Sequence, residues 1–290
     1  MFTRIVVGVD YREGGRDALA LAALLQSVGG GELLAVHACA PPARLREEAP
    51  CRLEDELARA GVTAEPLVVT DRSPSHALRT IAERDTADLI VVGSTHRAGV
   101  ERVLAGDVAF ATLHCAPCAV AVAPRGLAES PGSLRRIGVG LDESRESRVA
   151  LALASRLARL VGAHVRAITV VPAPVPFWPA IAWEPAWAGS SGSAPQPDER
   201  RVARVLAELD DDVTPEVAVG AAWKELAARS ASLDLLVVGA HASGPVRRLV
   251  LGSTSTKLAR YAACPLLVTP RGAHAAADAA LGSEPLRRAQ

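Results

Sequence analysis

The chain has 290 residues, 49% of them hydrophobic, and its 32 basic and 32 acidic side chains leave no formal net charge. That length and apolar content suit about two globular domains and exclude a disordered polymer. The basic residues cluster only in short pairs such as Arg135-Arg136 and Arg247-Arg248, which is no stripe for a nucleic-acid backbone. No apolar stretch approaches the roughly 18 residues of a membrane span. The opening Met1–Asp10 has too short an apolar run for a secretion signal. Five cysteines, an odd number, fit a reducing compartment better than a disulfide framework. The expectation is a cytoplasmic protein with neither a membrane nor a nucleic-acid partner.

In chain order, β-branched and alternating runs mark strands, and amphipathic runs mark helices. Ile5–Val9 reads as a strand buried on both faces, and Ala18–Leu25 as a helix. Leu33–Ala38 (strand), Arg44–Ala60 (helix), Ala64–Val69 (strand), Ser75–Arg84 (helix) and Leu89–Val92 (strand) follow. Val108–Leu113 (helix) and Ala119–Val122 (strand) close the unit. Pro124–Ser133 has the Pro, Gly and Ser content of a linker. The series then repeats: Ile137–Leu141, Ser147–Val161, His164–Val171, Glu199–Leu209, Glu216–Val219, Lys224–Ser230, Leu235–Val238, Ser253–Tyr261 and Leu266–Thr269. Strands alternating with helices imply a parallel sheet with right-handed crossovers.

The repeat is visible in the residues themselves. Asp88-Leu-Ile-Val-Val-Gly93 returns as Asp234-Leu-Leu-Val-Val-Gly239, and each run leads at equal spacing to a second glycine, Gly106 or Gly252. The next residue is Asp107 in the first copy and Ser253 in the second. The halves differ mainly by an insert, residues 172–197, rich in Pro, Gly, Ser and Ala and carrying Trp178, Trp183 and Trp187. A connection that long is either functional or mobile. The tail after Pro270 is Ala- and Gly-rich, the composition of a frayed end.

With these positions laid out, the chain resembles a tandem universal stress protein. The resemblance rests on Gly239-Ala-His-Ala242 followed after nine residues by Gly252-Ser253, on Asp142-Glu-Ser-Arg-Glu-Ser147 after the first strand, and on Cys264-Pro before the last strand. It implies two tandem Rossmann-like (HUP-type) α/β domains, each a five-stranded parallel sheet with helices on both faces. Residues 1–124 would form a degenerate domain, 125–133 a linker, 134–270 a domain holding the nucleotide site, and 271–290 a flexible tail. It further implies a homo-oligomer that is either a regulatory module binding ATP with Mg2+ or a nucleotide-free interaction scaffold of the same fold; it is not expected to be an enzyme, with slow ATP hydrolysis left open. The halves would pair through antiparallel contact of Ala119–Val122 with Leu266–Thr269, hiding both edges.

Ligands of an open parallel sheet sit beyond the carboxyl ends of its strands where strand order reverses. That puts Asp142 and Gly239 on the flanks of the site, and the resemblance extends it to Gly140, Leu141, Val170, Val238, His241, Ala242, Gly252, Ser253, Thr254 and Ser255. By the resemblance, Asp142 takes the adenine or ribose end, Val170 and Val238 meet base and sugar, and His241 lies near the phosphates. Gly239 would let backbone approach the ligand. Gly252-Ser253 would open a helix whose free amides and dipole favour phosphate oxygens. Ala242 stands where the family has glycine: positive φ there would cost a methyl group roughly 1–2 kcal/mol, and negative φ would cost nothing. In the first half, a carboxylate at Asp107 about 4 Å from a phosphate charge costs about 4 kcal/mol at an effective dielectric near 20. Tyr11-Arg12 also replaces small residues there, so this half is expected to bind no nucleotide.

Other motifs point less far. Cys115-Ala-Pro-Cys118 precedes a strand instead of opening a helix, the wrong place for a reactive thiolate. Cys118 and Cys264 recur in the repeat as packing positions. His37, His76, His164 and His274 read as isolated. No phosphate-loop lysine or catalytic base stands out. The insert 172–197 reads equally as a lid or protein-partner surface over the crevice and as a loop whose tryptophans pack locally.

Overall fold

The structure is a computed structural model; it describes residues 1–40, 44–94, 107–130, 132–172, 202–205, 209, 212–240 and 252–270. His241, Ala242, His274, the insert beyond Pro172 and the tail fall outside the described residues. The first half runs β1 (Arg4–Gly8), α1 (Glu13–Gly29), β2 (Glu32–Cys39), α2 (Arg44–Ala60), β3 (Glu65–Thr70), α3 (Pro74–Arg84), β4 (Leu89–Gly93), α4 (Asp107–Cys115) and β5 (Ala119–Ala123). The second runs β6 (Arg136–Gly140), α5 (Arg145–Val161), β7 (His164–Val171), β8 (Val213–Val219), α6 (Ala222–Ser230), β9 (Leu235–Gly239), α7 (Ser253–Tyr261) and β10 (Leu266–Thr269). Of the expected helix at Glu199–Leu209, the described stretch 202–205 is helical.

The described strands form one sheet of ten, ordered β3-β2-β1-β4-β5-β10-β9-β6-β7-β8. Within each half every pairing is parallel. Only the join is antiparallel: Leu266, Leu267 and Val268 face Val122, Ala121 and Val120. The edge-to-edge contact expected between the final strands is therefore a real ladder, and it fuses two five-stranded sheets into one. β5 and β10 become its centre, which is why Val120–Ala123 and Leu266–Val268 are essentially solvent-free. One face carries a core built on α1, α2 and α5; the other carries a core built on α3, α4, α6 and α7.

The repeated Asp…Gly run has a local cause at each end. Asp234 accepts the backbone amides of Arg135 (2.9 Å) and Arg136 (2.8 Å) and the Arg136 guanidinium (2.8 Å). Asp88 does the same for the amides of Thr3 (2.6 Å) and Arg4 (3.0 Å). Each aspartate thus ties the entry of the fourth strand to the entry of the first. At the other end the glycine leaves room for a helix. A methyl group on Gly93 would lie 1.8 Å from the Gly14 carbonyl oxygen, and one on Gly239 would lie 2.6 Å from the Glu146 carbonyl carbon.

The connecting segment is held closely. Asp17, a buried carboxylate of α1, accepts the amides of Gly126 (3.0 Å) and Ala128 (2.8 Å) just after β5. Gly126 has φ +80, a conformation that favours glycine. Burial pushes the Asp17 carboxyl above its ordinary range, and the two amide hydrogen bonds offset part of that.

Candidate functional site

In the second half strand order reverses between β6 and β9, so the carboxyl ends of these strands frame the crevice. Gly140 lies beside Val238 on one side and Ile168 on the other. Leu141 continues the ladder by donating its amide to Ile168. Leu141 and Val238 are buried, their side chains built into the two opposite cores, so only their backbone faces the crevice. Val170 is half-buried at the end of β7.

Asp142 belongs to a tight hydroxyl lattice at the start of α5. Its Oδ1 accepts the amide of Ser144 (2.9 Å) and the Ser144 hydroxyl. Ser144 caps the helix by accepting the Ser147 amide at 3.1 Å. Ser147 Oγ lies 2.8 Å from the Asp142 carbonyl, to which it donates, and accepts the Asp142 amide at 3.2 Å. The Asp-x-Ser-x-x-Ser spacing is therefore a scaffold that fixes where the Asp142 carboxylate stands.

The fourth helix of this half, α7, begins beside the same crevice. Gly252 is its N-cap, extended at φ −65 and ψ 161, with no side chain capping the helix. The first intrahelical bond runs from the Thr256 amide to the Gly252 carbonyl at 3.1 Å. Ser253 is exposed and Thr254 half-buried. Ser255 is buried and donates to the Gly239 carbonyl at 3.2 Å, tying the helix start to the end of β9. The first amides of the helix are therefore left without a capping side chain, with hydroxyls beside them.

The first half has the same frame with different furniture. Asp107, Val108 and Ala109 stand where Ser253, Thr254 and Ser255 stand, so a carboxylate sits in the first turn of α4 and the tie to the strand end is gone. Tyr11, at φ +59, lays its ring 4.0 Å from that of His37 and under the Arg52 guanidinium at 4.6 Å. Its hydroxyl donates to the Ala49 carbonyl at 2.8 Å. Burial pushes the Tyr11 phenol up to about 12, with Arg52 pulling it partly back. His37 Nδ1 donates to the Val9 carbonyl at 2.7 Å, so this histidine is not the isolated residue expected from sequence; it completes a stack over the carboxyl ends of β1 and β2. His76 likewise pairs with Asp71 at 2.7 Å.

Thr169 occupies the His37 position in the second half, and sequence reading overlooked it. It is buried, yet among the described residues its hydroxyl has no hydrogen-bond partner. A threonine cannot span the distance that the imidazole spans in the first half, so one buried polar group is left open beside the crevice. The His-to-Thr exchange was readable by aligning the two halves; the orphaned hydroxyl was not.

The cysteine expectation stands for the described thiols. Burial pushes Cys118 and Cys264 up to about 12, which makes them poor thiolates. Among the described residues no cluster of His, Cys, Asp and Glu could hold a metal ion, and no helix is long and apolar enough to cross a membrane.

A sequence profile of the universal stress protein family matches residues 1–124 and 133–270. A universal stress protein of Mycobacterium tuberculosis is 29% identical over 208 residues, covering 69% of this chain and 70% of that one. The crystal structure of a universal stress protein from Archaeoglobus fulgidus shares the fold at 19% identity, with a TM-score of 0.64 over 93% of this chain and 98% of that chain. A shorter universal stress protein from the same organism, solved in complex with dAMP, is 21% identical and covers 42% of this chain and 98% of its own, with a TM-score of 0.35.

Proposed function

The chain belongs to the universal stress protein family, and on that premise we propose that its second half binds ATP, with Mg2+, as a regulatory module and not as an enzyme. The reading is carried by one observation: the two equivalent helix starts differ in charge. α7 opens on a capless Gly252 with Ser253 and Thr254, whereas α4 carries Asp107 in its first turn. The helix dipole and free amides favour an anion at α7, and a resident carboxylate repels it at α4.

The triphosphate would lie on Gly252–Ser255, with His241 and Ala242 beside it. The ribose and base would extend past Gly239 and Gly140 toward Asp142 and Val170, with Leu141 and Val238 supplying backbone. Mg2+ would arrive on the phosphates, which bring their own oxygen ligands. No proton transfer is required of the protein, whose readout would be a change in shape or assembly within a cytoplasmic homo-oligomer. The insert 172–197 would carry a protein partner or lid, or else be a loop whose tryptophans pack locally.

The test is calorimetric titration of nucleotide-stripped protein with Mg-ATP, beside Ser253→Asp. The expected outcome is about one nucleotide per chain, weakened by roughly three decades in the variant. A second reading, a nucleotide-free interaction scaffold, draws support from Gly239. Helix packing alone accounts for its missing side chain, so the glycine pattern does not by itself demand a ligand. Absence of binding in both proteins would pass the assignment to that scaffold.

A further inference from the structure

The chain is poor in aromatic residues, at 3% of its length, yet side chains of α7 engage three of its rings, one of them from the other half. Trp223 of α6 lies 5.2 Å from Tyr261 of α7, centroid to centroid. Lys257 and Lys224 stand 5.0 and 5.6 Å from the Trp223 ring. On the neighbouring flank of α7, Arg260 lies 5.3 Å from the ring of Phe110, which α4 contributes from the other half. Tyr261 is 39% exposed, and Lys224, Lys257 and Arg260 are exposed as well.

These three cations differ from most others in the fold. Arg16, Arg84, Arg136 and Arg229 each hold a carboxylate. Among the described residues, Lys224, Lys257 and Arg260 have only aromatic rings for partners. α7 contains no acidic residue, and the one carboxylate of α6, Glu225, is bound to Arg229 at 2.7 Å. In the first half Ser75 and Ala111 take the places of Trp223 and Lys257, so the fold does not need this cluster.

We propose that the Trp223–Tyr261–Phe110 face, with Lys224, Lys257 and Arg260, is a docking surface for an acidic peptide segment of a partner protein. Tryptophan, tyrosine and arginine are the residues that dominate binding energy at protein interfaces. Cations around them select a carboxylate-bearing partner, because an approaching acid finds charge that no acid among the described residues pairs with. The same geometry disfavours single-stranded nucleic acid, whose bases need free ring faces for stacking. Here the faces of Trp223 are taken by two lysines and by Tyr261, and Phe110 has Arg260 above it and His114 at 4.4 Å. The rings offer edges and apolar area, and the cations offer charge. This surface does not depend on nucleotide binding.

The test pans a random dodecamer peptide library against the full-length protein. Enriched peptides are then measured by fluorescence anisotropy against wild type and a Lys257→Glu/Arg260→Glu double variant. Both substituted positions are exposed, so the fold is expected to survive, with circular dichroism as the check. Arg72→Glu, an exposed arginine of the first half, is the control. The expected result is a net acidic set with an apolar anchor, bound at least about tenfold more weakly by the double variant, unchanged by the control, and weakened by salt. Enrichment of neutral or basic peptides, or equal binding to the double variant, would overturn the proposal. So would binding of oligo-dT that the double variant loses while no peptide is enriched, an outcome that reassigns the face to nucleic acid.

Discussion

Gly239 carries two meanings that only coordinates separate. Its place in a family pattern suggests room for a ligand, but the atoms nearest its absent methyl group belong to the backbone of α5, at 2.6 Å for the Glu146 carbonyl carbon and 2.8 Å for its oxygen. Backbone cannot swing aside as a side chain can, so strand and helix must part if that position grows. Gly239→Ala is expected to destabilise the protein by about 1–3 kcal/mol, read as a lower urea midpoint. Loss of binding with an unchanged midpoint would show that the glycine serves the ligand instead. The residue scale is also where sequence reading falls shortest. Asp142 and Ser253 are legible as site candidates because their chemistry is intrinsic. Thr169's unpaired hydroxyl and the Tyr11–His37 stack depend on contacts between distant segments, which no local pattern encodes.

At the scale of elements, the periodicity carries most of the fold. The expected bounds of α2, β7, α7 and β10 coincide with those observed; β10 is legible as an unbroken apolar run, buried at every position. The largest shortfall is α1, expected at Ala18–Leu25 but running Glu13–Gly29; among the strands it is β8, expected from Glu216 but beginning at Val213. Pro215 is the reason: it lacks an amide and reads as a break, yet an edge strand leaves one side without a ladder and tolerates it. β3, the other edge, holds Pro66 in the same way. The centre of the sheet has no such tolerance. β10 pairs on both sides, parallel to β9 and antiparallel to β5. Leu267→Pro is therefore expected to remove a ladder hydrogen bond and to uncouple the halves, seen as two calorimetric transitions in place of one. A single unshifted transition would mean that the ladder contributes little to their union.

For the molecule as a whole, the connection between halves is held by one buried acid. Asp17 gathers the amides of Gly126 and Ala128 while burial raises its carboxyl above the ordinary range. A carboxyl raised in the folded state retains its proton there longer than in the unfolded chain. Its contribution to stability is thus complete below the unfolded value and is lost as pH rises through the folded one. Urea unfolding across the weakly acidic range should show this loss in the wild type, and Asp17→Asn should flatten it. An unchanged slope in the variant would remove Asp17 from the pH response.

The antiparallel join of β5 and β10 also sets the history open to each half. It turns the strands of one half against those of the other, so their carboxyl ends point to opposite margins of the sheet. The carboxyl ends that frame the two crevices therefore lie at opposite margins. A duplicated gene encoding such a dyad could let one copy drift, filling its crevice with Tyr11 and Asp107, without disturbing its twin. Only the seam between them is answerable to both, and mutations there would be the ones selection cannot ignore.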